Sequence, residues 1–529
     1  MNMNLQAKWL VAHKKDFPWQ ALLGGTLVSN DGSLVLVSEV LVRPWPLGPL
    51  FTINSLDELK PEKSLINILP FESGNFIEVK AAPSQLLIIR AFQQVVEASI
   101  AKEDLDKALE EQALVDKAIK LDQSRQFDLL LFDLDDTLVL TAHLDNFRGR
   151  ENVDNKSESY KKNLSEKALS LKILIPETLI LEIKKNFPSL KLGIFTRAPA
   201  EYTKIVLEAC FPNIQWDCKV TFETAKAKPS PEGIVMSARS MGISNFNRIA
   251  FVGDDEHDVC AAYQAGCYSV LFRKGWRGSV IYKALALHSD AMIDDPLDII
   301  NLLIKPKQYL LTLESCEHEI PKVISRRVDE QHHFNNSDEK KDDADFVKIY
   351  ILGRYFSIYK PDYIFDFSPK LKEHQLSADL LNFKITNKPL DIWVACIAIH
   401  IKKILSEKGS LMVCCIPAKP ERFRRMEGLV DAIKDYLGPQ DHLTFDAGVL
   451  EFKAGVVLNK RLDANERYKN IKAHLLVSNP TDVQDKNIFV LDDIVTTGYS
   501  FYWAERYLKL AGASSIYCCA LAKSITGGG

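Results

Sequence analysis

Short apolar runs recur along most of this chain, and between them apolar residues return at helical spacing. From Phe127 to about Leu303, apolar strands alternate with amphipathic helices, the pattern of a parallel α/β sheet. A second α/β segment runs from about Phe346 to Ile525, with a strand at Leu411 to Ile416 and a helix from about Phe501 to Leu510 that stops near Gly512. The first 82 or so residues are strand-rich instead. Leu22 to Ser29 and Ser33 to Val37 flank Asn30-Asp31-Gly32, a hairpin-like turn. Arg43-Pro44-Trp45-Pro46-Leu47-Gly48-Pro49 then interrupts any regular element, and Pro83-Ser84 opens a helical pattern to about Leu121. Arg326 to Asp345 is polar with almost nothing to bury and reads as an exposed linker, and the adjacent His332-His333 within it read as solvated rather than metal-binding.

These patterns predict an α/β protein with two doubly wound parallel-sheet domains and a small α+β N-terminal domain. The expected divisions are 1–126 for an accessory domain with a long helix, 127–303 for the first α/β domain, 304–345 for a connector and linker, and 346–526 for the second α/β domain. A length of 529 residues accommodates this division, and 47% hydrophobic residues supply real cores. A net charge of −4 gives no overall field toward nucleic acid or an anionic membrane. No uncharged apolar run approaches the roughly 20 residues of a membrane helix, and Met1 to Lys8 has no apolar signal-peptide region. The ten cysteines form no CxxC pair, so a reducing cytoplasm is the expected setting.

Chemistry concentrates at strand ends. Leu129-Leu130-Leu131-Phe132 is followed by Asp133-Leu134-Asp135-Asp136-Thr137, placing acids at the carboxyl end of a buried strand, where open α/β sheets bind ligands. Leu192-Gly193-Ile194-Phe195-Thr196 ends a strand in a hydroxyl, Lys228-Pro229-Ser230-Pro231 supplies a lysine, and Gly253-Asp254-Asp255-Glu256-His257-Asp258 follows a third strand. This set resembles the four motifs of the haloacid dehalogenase (HAD) superfamily over about 175 residues. The resemblance implies a phosphohydrolase in which Asp133 attacks phosphorus and Asp135 acts as general acid and base. It implies Mg²⁺ held by Asp133, the Asp135 backbone carbonyl and Asp254, with Thr196 and Lys228 on the phosphoryl oxygens. Asp258 would orient Lys228 or a metal-bound water. The segment between the first two motifs leaves room for a small helical cap.

Near the C-terminus, Ile488-Phe489-Val490-Leu491 runs into Asp492-Asp493-Ile494-Val495-Thr496-Thr497-Gly498-Tyr499-Ser500. Small and hydroxyl residues before a helix suit a phosphate, and two adjacent carboxylates suit paired ribose hydroxyls. The pattern resembles the phosphoribosyl pyrophosphate (PRPP) loop of type I phosphoribosyltransferases, particularly the ComF-like branch. By that resemblance Asp492 and Asp493 bind ribose hydroxyls, and Thr496, Thr497, Gly498 and Ser500 bind the 5-phosphate. Lys419 and Arg422 would stabilise departing pyrophosphate, with Arg467 from a closing loop that includes Lys460-Arg461. The chain departs from that branch at Arg424-Arg425-Met426-Glu427-Gly428 and lacks its N-terminal cysteine cluster, so the acceptor stays unread.

Together the two resemblances imply a bifunctional enzyme with Mg²⁺ as cofactor. Its partners would be PRPP, a small-molecule acceptor and a phosphorylated small-molecule substrate, with no membrane and no indication of nucleic acid. Two alternatives stay open. One is a phosphatase controlled by a non-catalytic domain that senses PRPP or nucleotides. The other is an interaction or defence-type protein docking a partner through residues 1–126. Oligomeric state stays open as well.

Overall fold

Leu129–Phe132 (β1) is a run of four fully buried apolar side chains, and it becomes the inner strand of a six-stranded sheet. The computed structural model describes residues 122–526 apart from 154, 276–280, 317–326, 335–345, 359, 361–362, 420–421 and 458–461, together with six strands before residue 92. Around β1 run Lys191–Phe195 (β2), Cys218–Val220 (β3), Ile249–Gly253 (β4), Tyr268–Phe272 (β5) and Ala291–Ile293 (β6), in the order β3-β2-β1-β4-β5-β6. Every neighbouring pair is parallel. The chain builds outward from β1 through β2 to β3, then returns to place β4 on the other side of β1. That reversal opens a crevice at the carboxyl ends of β1 and β4, the usual ligand position in such sheets. Register brings the two ends level, with Phe132 opposite Val252.

The segment between β1 and β2 holds a 3₁₀ turn at Ala142–Phe147 and helices at Glu158–Ala168 and Glu177–Asn186, a small helical insertion of the expected kind.

The second sheet is built from Asp329–Phe334 (β7), Phe346–Ile351 (β8), Arg354–Phe356 (β9), Leu411–Cys415 (β10), Leu443–Phe445 (β11), Asn487–Val495 (β12) and Ser515–Ile525 (β13). Its order is β7-β8-β13-β12-β10-β11, with β9 also on β13. Only β7–β8 is antiparallel. Trp393 and Phe383 on helices Gln375–Thr386 and Asp391–Lys408 anchor the core on one face, while Trp503 and Phe501 on helix Tyr499–Leu510 belong to the core of the other. Cys414, Cys415, Cys518 and Cys519 are buried and free within it. Among the described residues no helix is long and apolar enough to cross a membrane.

Two sequence expectations need correction. The polar run at Arg326–Asp345 is not simply an exposed linker, because β7 lies within it and pairs with β8. Asp329 is buried there, 2.9 Å from His288, and Arg327 donates to Asp329, to the Asp290 carbonyl and to the Tyr309 carbonyl. Composition hid this, since polar side chains can be buried when their partners lie far along the chain. The helix expected from Pro83 to Leu121 is interrupted at its start by a strand, Leu87–Ala91, antiparallel to Ile77–Ala81 and parallel to Thr26–Val28. Leu87-Ile88-Ile89 is apolar with two β-branched residues, and so short a run carries no period that separates strand from helix. Residues 92–121 lie outside those described. The N-terminal hairpin is present, with Thr26–Val28 antiparallel to Leu34–Leu41.

Residues 1–123 and 124–529 are separate compact units, so both α/β sheets share one unit. A buried ionic cluster joins them. Arg354 on β9 donates to Asp290 (2.8 Å), to Glu314 and to the Tyr263 hydroxyl (2.8 Å), while Lys370 reaches Asp290 at 2.9 Å.

Candidate active site and a second candidate cavity

β1 ends by handing the chain to Asp133, whose N–H donates to the Val252 carbonyl of β4 at 2.8 Å. Lys228 Nζ stands 2.5 Å from Asp133 Oδ1 and 2.6 Å from Asp258 Oδ1. Asp258 Oδ2 accepts from the backbone N–H groups of Asp254 and Asp255 at 3.0 and 3.1 Å. Asp255 caps helix Glu256–Ala265 and forms a reciprocal capping box with Asp258. Only glycine fits at 253, because a Cβ there would lie 2.3 Å from the Asp258 carboxyl carbon. Thr137 Oγ1 donates to Asp254 Oδ1 at 3.1 Å. Carboxylate oxygens of Asp133, Asp254 and Asp258 all lie within 4.8 Å of one another. Thr196 is buried at the end of β2, and its Oγ1 accepts from the Ala198 N–H at 3.1 Å.

Asp135 receives two groups that sequence reasoning missed. The Tyr202 hydroxyl donates to its Oδ1 at 2.8 Å, and Arg148 Nη1 lies 3.4 Å from the same oxygen. Tyr202 comes from helix Ala200–Cys210 and Arg148 from a polar stretch of the insertion, and neither belongs to a motif.

Burial raises the Asp133 carboxyl to about 8; Lys228 opposes this, while Asp258 and Asp135 add to it. Burial also lifts Asp254 well above the carboxylate range, reinforced by Asp258 and Asp133, and lifts Asp258 against the pull of Lys228. For Lys228, burial favours the neutral amine, but Asp133 and Asp258 outweigh it and hold the charge. Three crowded acids therefore face one lysine. An all-oxygen, acid-rich donor set of this kind fits a hard divalent cation, which would remove that excess charge.

The second candidate site is a cavity of about 370 Å³ at the carboxyl ends of β10 and β12. Lys419, Arg422, Arg467, Asp492, Asp493, Thr496, Thr497, Gly498 and Ser500 all line it. Gly498 sits at φ +82°, a left-handed turn open to glycine, and starts helix Tyr499–Leu510 so that its N-terminus borders the cavity. Asp492 Oδ1 accepts from the Asp493 N–H at 2.8 Å, and burial beside Asp493 lifts its carboxyl well above the usual range. Lys419 donates to the Val457 carbonyl at 2.7 Å; burial, with Arg467 nearby, lowers its amine to about 8. Lys460-Arg461 lie outside the described residues.

Arg425, part of the departure at 424–428, grips Asp493 with Nε at 2.9 Å and Nη2 at 2.5 Å. Lys523 on β13 donates to the Thr496 carbonyl at 2.8 Å and steadies the loop. Neither role had a local sequence signal, because both partners are far away along the chain.

Residues 226–298 match a family model described as HAD-hydrolase-like. That span contains Lys228, Asp254 and Asp258, and the chain thus carries a HAD-like hydrolase domain with a parallel Rossmann-like core. Similar solved structures include a predicted phosphoglycolate phosphatase from Haemophilus somnus, 21% identical, covering 34% of this chain and 98% of that one at a TM-score of 0.28. A HAD-superfamily hydrolase from Ehrlichia chaffeensis is 18% identical, with coverages of 34% and 98% and a TM-score of 0.25. CbbY from Rhodobacter sphaeroides, solved with phosphate, is 16% identical, with coverages of 33% and 96% and a TM-score of 0.27.

Proposed function

We propose that the first site is a Mg²⁺-dependent phosphomonoester hydrolase, and that the second uses PRPP to ribosylate a small-molecule acceptor. The observation that carries the first half is the buried Asp133–Lys228–Asp258 chain beside Asp254 at the β1/β4 crevice. Asp133 attacks phosphorus and forms an aspartyl-phosphate while Asp135 gives its proton to the departing oxygen. Asp135 then takes a proton from the water that hydrolyses the intermediate. Lys228 and Thr196 hold phosphoryl oxygens, and Asp258 keeps Lys228 aimed. Mg²⁺, when bound by Asp133, Asp254 and the Asp135 carbonyl, supplies charge neutralisation for the dianionic phosphoryl group.

The second half is supported by the gathering of acids, hydroxyls, a helix N-terminus and five cations around one cavity. Asp492 and Asp493 would hold ribose hydroxyls, residues 496–500 the 5-phosphate, and Lys419, Arg422 and Arg467 the leaving pyrophosphate. The Arg425–Asp493 pair has to open for this. With ribose-labelled PRPP, Mg²⁺ and a small-molecule cell extract, wild type is expected to release pyrophosphate and pass label to a new product. Lys419→Met combined with Arg467→Met is expected to slow this by about a hundredfold, the effect of losing charge-assisted contacts to a leaving group. Label that stays in PRPP with wild type refutes the transferase half.

One observation favours a second reading, in which PRPP binding controls the phosphatase. Asp255 caps the helix whose Tyr263 meets Arg354; Arg354 pairs in register with Lys523, and Lys523 holds the Thr496 carbonyl. Under that reading PRPP changes phosphatase turnover without being consumed, and the effect vanishes in Lys523→Met, which cuts the link at the Thr496 carbonyl and leaves the Arg354 cluster in place.

A further inference from the structure

We infer that Arg148 reads a second oxyanion on the leaving group, so that the first site selects phosphomonoesters carrying a further carboxylate or phosphate. This rests on the phosphohydrolase reading above and names its substrate class.

Arg148 arrives on the insertion between β1 and β2, directly after the 3₁₀ turn Ala142–Phe147. Its position is set locally. Asp136 Oδ1 accepts from the Thr141 N–H at 3.0 Å, and Arg148 Nη1 donates to Thr141 Oγ1 at 3.2 Å. The same Nη1 lies 3.4 Å from Asp135 Oδ1, while Nη2 meets Asp145 Oδ1 at 2.5 Å. Lys228 and Asp133 sit together at the phosphoryl end of the site. Asp135 serves the oxygen that departs. A guanidinium beside Asp135 therefore borders the leaving group rather than the transferred phosphoryl.

The pairing is built for exchange. The Asp145 side chain is 62% exposed and that of Arg148 is 30% exposed. With Asp145 that exposed, the pair is weak, so a substrate oxyanion can replace Asp145 at small cost. The planar two-N–H edge of arginine suits carboxylate and phosphate alike. Asp135 keeps its hydrogen bond from Tyr202 when Arg148 turns away. An arginine that only braced the turn through Thr141 and Asp145 would affect every substrate equally, and that difference can be measured.

Two matched pairs separate the outcomes: glycerol 3-phosphate with 3-phosphoglycerate, and fructose 6-phosphate with fructose 1,6-bisphosphate. Wild type is expected to prefer the member with the extra oxyanion in at least one pair by about tenfold to a hundredfold in kcat/KM, the worth of a charge-assisted contact. The pair that responds tells carboxylate from phosphate. In Arg148→Met that ratio is expected to collapse toward one, and in Arg148→Lys to recover in part. Because each ratio is taken within a single protein, loss of folded fraction cancels. Equal turnover in both pairs by wild type overturns the inference, as does a preference that survives in Arg148→Met. If wild type hydrolyses neither these esters nor p-nitrophenyl phosphate, the phosphohydrolase reading itself falls and takes this one with it.

Discussion

Asp133→Asn is expected to lower phosphomonoester hydrolysis on the order of 10⁵-fold or more while leaving the fold in place. Loss of a covalent nucleophile elsewhere costs a similar amount, because the remaining groups have no alternative atom to attack phosphorus. Asparagine keeps the shape of the side chain and can still accept from Lys228, which stands 2.5 Å away and retains Asp258 as a counter-charge. Phosphate release read on both proteins, with circular dichroism melts beside it, separates a chemical defect from a structural one. A variant with a wild-type melt and more than about a hundredth of the wild-type rate is incompatible with attack by Asp133.

Arg354→Met is expected to give the largest loss of stability in the unit that holds both sheets. Arg354 is 1% exposed and faces Asp290 and Glu314, themselves 2% and 4% exposed at the side chain. Removing one member of a buried ionic group strands the others, at a cost of about 3–5 kcal/mol. Burial opposes ionisation of Asp290 and Glu314, yet Arg354 with Lys370, and Arg354 with His374, hold both carboxyls well below the usual range. Folded-state values lower than unfolded ones stabilise the protein above the ordinary carboxylate range. That contribution drains away as pH falls through and below it. Urea midpoints recorded from neutral pH downward are expected to decline steeply for wild type and less so for Arg354→Met. A variant midpoint equal to wild type at neutral pH would show that the cluster does not hold the sheets together.

Much of the first site could be read from the sequence because its parts are short and locally coded. A buried apolar strand followed by acids, as at Leu129 to Asp135, fixes both the element and its exit edge, and two further strand-end motifs, at Thr196 and Asp254, repeat that logic. The loop at Asp492–Ser500 was legible for the same reason, and the cavity gathers its residues with Lys419, Arg422 and Arg467. What could not be read depends on pairing across distance. Arg354 is one arginine in an unremarkable stretch until β9 sets it against Asp290, 64 residues earlier in the chain. Arg327 and Asp329 look solvated in a polar run, but with partners at 288–290 Asp329 is buried and Arg327 partly so. Arg148, Tyr202 and Arg425 carry no pattern of their own; each acquires a role only from the carboxylate it meets. The strand at Leu87–Ala91 was missed for a different reason, since a run that short fits either period.

The most direct test of the central claim is to trap the intermediate. Protein quenched in acid during turnover of a phosphomonoester with Mg²⁺ would be digested and searched by mass spectrometry for an acyl-phosphate. The account predicts phosphorylation of Asp133 alone, discharged by hydroxylamine and absent from Asp133→Asn. Turnover with no phosphorylated aspartate, or with the label on another residue, would contradict it.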